Sequence, residues 1–365
     1  MAQRIAMFNH KGGVGKTLSA YNLSFALEAN GKKVLLVDGD SQVNLSALAL
    51  GDERFDSYYD NDETKKENIK DGVAAVFEGR PATIEAVMCP KVENSNRIYL
   101  LPGHADLAEY EGQLSLAQET GGTLSVLQNL PGAINALIER TENKFEIDYT
   151  IIDLNPGLGA INQNLFLSTE GFVVPTNPDP FSLMAIGTLA EHLNRWVTWK
   201  RNNEAIYYSS NYPLRTGSPR FLGTLNSRFN KHASKAAKKF DERINAIDEA
   251  VDCELVPKMR QMGMLCHDEC YTEAMEQHPI SPQHTSGTRK YALARIPDFQ
   301  SLVHMANNHQ VPIFLVTESQ LRSEGLGGSS LETNLRNRDA FLGIFNSVAQ
   351  KVELLLDDKC REDVF

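Results

Sequence analysis

The chain has 365 residues, 42% of them hydrophobic, and a formal net charge of −11. That is enough for one large α/β domain or two small ones, and the acidic balance argues against a globally basic nucleic-acid binder while leaving room for a local basic patch. Five scattered cysteines form no close-spaced framework, which points to the reducing cytoplasm; no apolar run offers a membrane span, and a glycine-rich motif starting by residue 11 leaves no room for a secretory leader.

In chain order, short apolar runs alternate with helical patterns, and strands are predicted at 4–8, 33–38, 97–101, 149–153, 172–175, 221–225 and 312–316. This alternation marks an α/β fold, a doubly wound, mostly parallel sheet with flanking helices. The charged stretch 52–71 reads as a solvated loop or short helices. The stretch 241–290 carries Pro257, Pro279 and Pro282 and reads as an inserted helical segment that interrupts the sheet. A Gly/Ser linker at 324–330 precedes a last helix at 339–356. There Phe341, Ile344, Phe345, Val348, Val352 and Leu355 recur at helical spacing, so one face packs on the body. Asp357, Asp358, Glu362 and Asp363 follow that helix, and anionic lipid would repel them. We read residues 1–365 as a single domain without membrane contact.

The most informative run is Asn9-His10-Lys11-Gly12-Gly13-Val14-Gly15-Lys16-Thr17, between the first strand and an apolar helical pattern at 18–29. A glycine-rich loop between strand and helix leaves backbone N–H groups free to converge on an anion at the helix N-terminus, where the dipole also favours negative charge. Lys16 is then placed to reach the β- and γ-phosphates and Thr17 to ligate Mg²⁺. His10 stands where the common P-loop pattern has its first glycine, and the loop carries an extra lysine, Lys11. One lysine suffices for the bound nucleotide, so Lys11 is read as reaching across a dimer interface to the partner's nucleotide.

Asp38 and Asp40 stand two apart at the end of the second strand, where ligands bind in open α/β sheets. Residues i and i+2 of an extended chain share a face, so both carboxylates can look into the site. One can orient water on Mg²⁺ and the other the attacking water; the competing reading of Asp40 or Ser41 is a helix N-cap. The fourth strand ends in Asp153, a Walker B arrangement beside Mg²⁺. Pro156, Gly157 and Gly159 make a turn after it that can sense the γ-phosphate.

These runs, with Val37-Asp38-Gly39-Asp40-Ser41-Gln42-Val43-Asn44 and Ile152-Asp153-Leu154-Asn155-Pro156-Gly157-Leu158-Gly159, resemble the ParA/Soj partition ATPases of the deviant-Walker group that includes MinD. Leu100 to Gly103, Val173 to Asp179, Phe221 to Asn226 and Ala294 to Asp298 extend the resemblance over roughly 1–230 and 291–350. It implies ATP and Mg²⁺ as cofactors. Gly12, Gly13, Val14, Gly15, Lys16 and Thr17 would cradle the phosphates. Leu18 stands where the family often has a second hydroxyl for the α-phosphate, a contact that falls here to backbone or Ser19. Thr17, Asp38 and Asp153 would serve the metal, Asp40 the lytic water, and Lys11 the partner's nucleotide. Asn226 would bind the adenine edge, with Pro297 and Asp298 flanking the base. Ser41 and Asn155 replace prolines common in the family, and neither removes a group that the chemistry requires.

Arg228, Lys231, Lys235, Lys238 and Lys239 occur without an acidic residue between them, largely on one helical face. They are the first candidate for sequence-independent contact with a DNA backbone, against a solvated face or a dimer contact. Arg195, Lys200 and Arg201 are the second. Cys266-His267-x-x-Cys270 lacks zinc-knuckle spacing and is read as ordinary thiols. Trp196 and Trp199 are read as core or interface packing. The expected function is that of a Mg²⁺-ATP-dependent hydrolase. Its ATP-bound homodimer binds DNA non-specifically, associates with the nucleoid, and answers to a ParB-like stimulating partner in plasmid or chromosome partition. The alternative is a ParA-like positioning or regulatory ATPase acting on a protein cargo, including a defence or mobile-element role. An iron–sulphur carrier would need paired cysteines after the Walker B region, which are not there. With nothing ahead of the P-loop strand, operator binding through an N-terminal helix-turn-helix is not expected.

Overall fold

A computed structural model describes residues 1–229, 235–279, 289–297 and 300–361, apart from the side chains of 228–229, 235–240 and 300. The helices and strands in chain order are β1 (Gln3–Met7), α1 (Lys16–Ala29), β2 (Val34–Gly39), α2 (Asn44–Leu50), α3 (Asp52–Asp60), α4 (Ile69–Phe77), β3 (Ile98–Leu101), α5 (Glu111–Thr120), α6 (Leu130–Phe145), β4 (Tyr149–Leu154), α7 (Ala160–Leu167) and β5 (Gly171–Thr176). Then follow α8 (Pro180–Tyr207), β6 (Arg220–Phe229), α9 (Lys235–Ala250), α10 (Val256–Gln261), α11 (Asp268–Gln277), β7 (Ala292–Pro297), α12 (Gln300–Asn308), α13 (Glu318–Ser323) and α14 (Gly328–Leu356).

Among the described residues the strands form one seven-stranded sheet in the order β3-β2-β4-β1-β5-β6-β7. Every pairing is parallel. β2, β4 and β5 are buried along their whole length, because helices cover both faces, and near-continuous apolar runs are what such strands require. Chain order reverses across β1, with β4 on one side and β5 on the other. The carboxyl ends of the strands at such a reversal form the ligand crevice of open α/β sheets, and β1 delivers the glycine-rich loop there.

Six predicted strands are present, within a few residues at their ends. The segment 312–316 is not a strand. Its core, Ile313–Leu315, is a tight 3₁₀ turn running into a Thr317–Gln320 capping box. Ile313, Phe314 and Val316 are buried for another reason, while Leu315 is exposed: Phe314 lies near Phe341 and Phe345 of α14, with ring centroids 6.3 and 6.5 Å away. The seventh strand is instead β7, paired along β6. The described part of the 241–290 stretch is largely helical, with a π turn between α9 and α10 and a non-helical link at 262–267. α14 begins at Gly328, so Ser329 and Ser330 are helical rather than linker. Trp196 is buried against Phe8 and Phe166, and the Trp199 indole donates to Gln118 O, as core packing demands.

The cysteines depart from expectation. Cys270 and Cys360 form a disulfide that ties α11 to the end of the chain beyond α14. Partners 90 positions apart leave no local spacing to read. Cys266 remains a buried thiol, and the described residues contain no cluster of three or more His, Cys, Asp or Glu side chains that could hold a metal ion among themselves. No described helix is long and apolar enough to cross a membrane.

Candidate functional site

The loop between β1 and α1 is shaped by Gly13 and Gly15, whose φ values of 72° and 87° lie in the left-handed region that side chains disfavour. Gly15 offers no side chain to cap α1, so the first amides of the helix stay open to an anion. Neighbouring side chains fasten the loop. Asn9 Nδ2 donates to Pro175 O (2.8 Å), Asn9 Oδ1 accepts from Lys11 N (3.0 Å), and Asn177 Nδ2 donates to Gly13 O (2.9 Å). Lys16 curls back over the loop, its Nζ donating to Asn9 O (3.1 Å) and Lys11 O (3.4 Å). Burial lowers its pKa, while Asp153 and Asp40 pull the other way. Val14 is buried and Leu18 packs partly against the core.

Opposite the loop, Thr17 Oγ1 donates to Asp153 Oδ2 at 2.6 Å. Asp153 is buried, and its Oδ1 has no partner among the described residues. Burial drives its pKa up, partly offset by the Thr17 hydrogen bond. An orphaned buried carboxylate oxygen beside a hydroxyl is a costly arrangement without a cation. The donor set, a carboxylate and a hydroxyl oxygen, suits Mg²⁺.

Asp38 is the register partner of Asp153, yet its oxygens are engaged. Oδ2 accepts from Ser46 N (2.8 Å) and Ser46 Oγ (2.7 Å), and Oδ1 accepts from Asp40 N (3.2 Å). Burial pushes its pKa up to about 6 despite these bonds. Asp40 is half-buried, and its Oδ1 accepts from Gln42 N (3.0 Å), closing the turn into α2. The N-cap of α2 is Val43, not Asp40 or Ser41.

Lys11 does not enter the cradle of its own chain. Its Nζ is paired with Asp179 and donates to Ser182 Oγ (3.2 Å), at the start of α8. Asp179 caps that helix, Oδ1 accepting from Ser182 N (2.8 Å). Burial alone would raise the Asp179 carboxyl, but Lys11 and the Ser182 amide hold it below its ordinary value.

Asn226 stands in the carboxyl-terminal half of β6, level with Thr176 at the end of β5, with no exposed surface. Its Oδ1 accepts from Thr176 Oγ1 and its Nδ2 donates to Asp248 Oδ1 (3.1 Å). Arg295 in turn holds Asp248 (2.9 Å). Pro297 ends β7; Asp298 lies outside the described residues, as does Lys231.

A family model described as an AAA domain (AAA_31) matches residues 2–206, more than half of the chain. The chain belongs to this family. An uncharacterised Mycobacterium tuberculosis protein is 34% identical over 194 residues, 53% of this chain and 52% of its own length. The chromosome-partitioning ATPase Soj of Thermus thermophilus is 32% identical, covering 51% and 59%. The chromosome-partitioning protein ParA of Caulobacter vibrioides is 29% identical, covering 52% and 62%. The chain thus spans about half to three-fifths of the length of these relatives. A crystal structure of a Corynebacterium diphtheriae protein superposes with a TM-score of 0.57 at 28% identity, covering 69% of this chain and 88% of that one. Apo McdA of Cyanothece has the same fold, with a TM-score of 0.55 at 16% identity over 93% of this chain and 100% of that one. The ParA/MinD-type identity expected from the motifs therefore stands.

Within this ParA/MinD-type frame the structure gathers Gly12 to Leu18, Asp38, Asp40 and Asp153 at one end of the sheet. It withdraws Lys200 from the second basic candidate and leaves Arg195 and Arg201 exposed. Lys200 is buried, its Nζ donating to Leu167 O (2.8 Å) and Gly217 O (2.5 Å). Arg201 donates to Met262 O, and Arg195 lies on His192. The side chains of Arg228, Lys235, Lys238 and Lys239 lie outside the described residues. Several supporting residues were missed in the sequence: Asn9, Ser46, Asp179, Ser182 and Asp248. Two left a local signal, since Asn9 is two positions from Lys11 and Asp179 precedes Pro180 as an N-cap does.

Proposed function

We propose that the protein is a Mg²⁺-ATP hydrolase that dimerises on ATP and binds DNA without sequence preference, acting in plasmid or chromosome partition. The observation that carries this reading is the Thr17–Asp153 pair with its orphaned Oδ1, facing open helix amides and the buried Lys16. The partition names of the relatives support it, as does the ATP complex among the McdA structures.

Thr17 and Asp153 would hold Mg²⁺, with Asp38 behind them. The metal, when bound, would neutralise charge on the β- and γ-phosphates. The loop amides of Gly12 to Lys16 would bind those phosphates, and Lys16 would swing from Asn9 O and Lys11 O onto them. Asp40 would orient the attacking water. Lys11 would leave Asp179 for the nucleotide of a second copy. Asn226, already fixed by Thr176 and Asp248, would present its second amide hydrogen to the adenine edge, flanked by Pro297 and Asp298. The basic run from Arg228 to Lys239 would meet the DNA backbone, and a ParB-like protein would stimulate turnover. The chain would then be cytoplasmic and nucleoid-associated, one ATPase domain with a helical insertion at 241–290.

The burial of Lys200 favours a second reading. With Lys200 withdrawn from that patch and the net charge at −11, the same switch could act on a protein cargo. Calorimetry with MgATP tests the nucleotide site: Lys16→Ala should abolish binding, and undiminished affinity would refute it. Light scattering of Asp40→Ala with ATP should show a dimer, and an unchanged monomer mass counts against the sandwich. Binding to random-sequence DNA that needs ATP and falls steeply with salt selects partition; none at low salt selects the protein cargo.

A further inference from the structure

The turn after Asp153 is tethered by a residue to which the nucleotide reading gives no role. α7 starts at Ala160 with Gly159 as N-cap, which has no side chain to satisfy the first amides. Glu111, the first residue of α5, supplies the acceptor. Its Oε1 accepts from Ala160 N and its Oε2 from Ile161 N, the latter at 3.1 Å. A Cβ on Gly159 would overlap this carboxylate, so the bare backbone is a condition of the contact. Charge-assisted bonds of this kind are the strong ones, and a carboxylate also complements the helix dipole.

The turn itself is internally clamped. Asn155 Oδ1 accepts from Gly157 N (2.6 Å), and Asn162 Nδ2 donates to Asn155 O and Gly157 O (both 2.8 Å). Pro156 faces Gly12 of the phosphate loop, in van der Waals range of a Cβ placed there. The clamped turn is thus a small rigid piece between Asp153 and α7, with the phosphate loop at its side and Glu111 at its far end. α5 is fixed in turn to α8, through Trp199 Nε1 to Gln118 O (2.8 Å) and Tyr207 OH to Ala117 O (2.9 Å).

We propose that Glu111 is a positioning residue for this turn. It sets where the turn stands against the phosphate loop when a triphosphate is bound, and it links movement of the turn to α5. The inference rests on the nucleotide reading above. Glu111→Gln keeps the size of the side chain but turns an NH₂ toward one of the two amides. Glu111→Asp keeps both acceptors on a shorter arm.

The test is hydrogen exchange of the full chain with and without MgATP, with calorimetry and phosphate release on the same samples. MgATP should protect 9–17 in the wild type and both variants, with the dissociation constant within about twofold. It should also slow exchange over 155–163 in the wild type. In Glu111→Gln that second protection should be lost, with exchange there roughly tenfold faster and kcat roughly tenfold lower at unchanged KM, the scale of one charge-assisted bond. Glu111→Asp should fall between. Equal protection of 155–163 in Glu111→Gln and wild type overturns the proposal. So does a parallel fall of affinity, kcat and thermal midpoint, which would mark a purely structural residue. Absence of protection at 9–17 in every protein would instead defeat the nucleotide reading, and this inference with it.

Discussion

In the single chain Lys11 is held by Asp179 and Ser182, so a Lys11 that serves a second subunit must first release them. Asp179→Asn removes the ion pair and keeps a competent N-cap for α8. The two side chains are 20% and 29% exposed, and pairs at such rims contribute only ~0.2–1 kcal/mol. A symmetric dimer breaks two of them, so the self-association constant should gain ~0.4–2 kcal/mol, or about 2- to 30-fold. Sedimentation equilibrium with a non-hydrolysable ATP analogue and Mg²⁺ reads this directly. The gain should shrink as salt is raised, because the pair is partly solvated. A dimer dissociation constant that is unchanged or weaker in Asp179→Asn at low salt would refute the release step. Lys11→Ala should abolish the dimer in the same assay.

Arg4 and Glu142 are both buried and bonded bidentately at 2.7 and 2.8 Å, so Glu142→Ala should cost ~3–5 kcal/mol in urea unfolding. The double change Arg4→Met with Glu142→Leu should recover most of that, and equal losses in single and double variants would contradict it. Lys351 is buried with its Nζ on Leu293 O (2.6 Å), and burial lowers its pKa to about 8. Below about 8 the folded state carries a buried charge that costs up to ~3 kcal/mol, and the unfolded chain binds more protons until about 10.4, so stability should rise with pH across that window. Lys351→Met should flatten this rise between pH 8 and 10 in thermal unfolding; identical slopes would exclude it. Reducing Cys270–Cys360, which closes a 90-residue span, should lower stability by ~4–5 kcal/mol on the loop-entropy model. Thiol titration of the denatured, unreduced chain should find three free thiols; five would show that the bond does not form.

Much of the site was readable because its signals are local. The loop from Lys11 to Thr17 carries its own glycines, and Asp153 closes an apolar run with the β-branched residues of a buried strand. The strand at 312–316 was misread because a short apolar run between polar flanks looks the same whether it pairs with a neighbour or fills a gap under a helix. β7 was passed over because Arg295 breaks its apolar pattern, and Arg295 is there to hold Asp248. Glu111 lies 49 positions from Ala160, and Asp179 lies 168 from Lys11. Nothing in their own neighbourhoods announces those partners. Lys200 looked like surface charge because the carbonyls of Leu167 and Gly217 that receive it come from other elements.

α9 has a consequence of its own. It opens among the lysines at 235–239 and, ~20 Å along its axis, reaches Asp248, whose carboxylate grips Asn226. A single rod therefore runs from the most cationic tract of the polypeptide to the carboxylate that fixes Asn226.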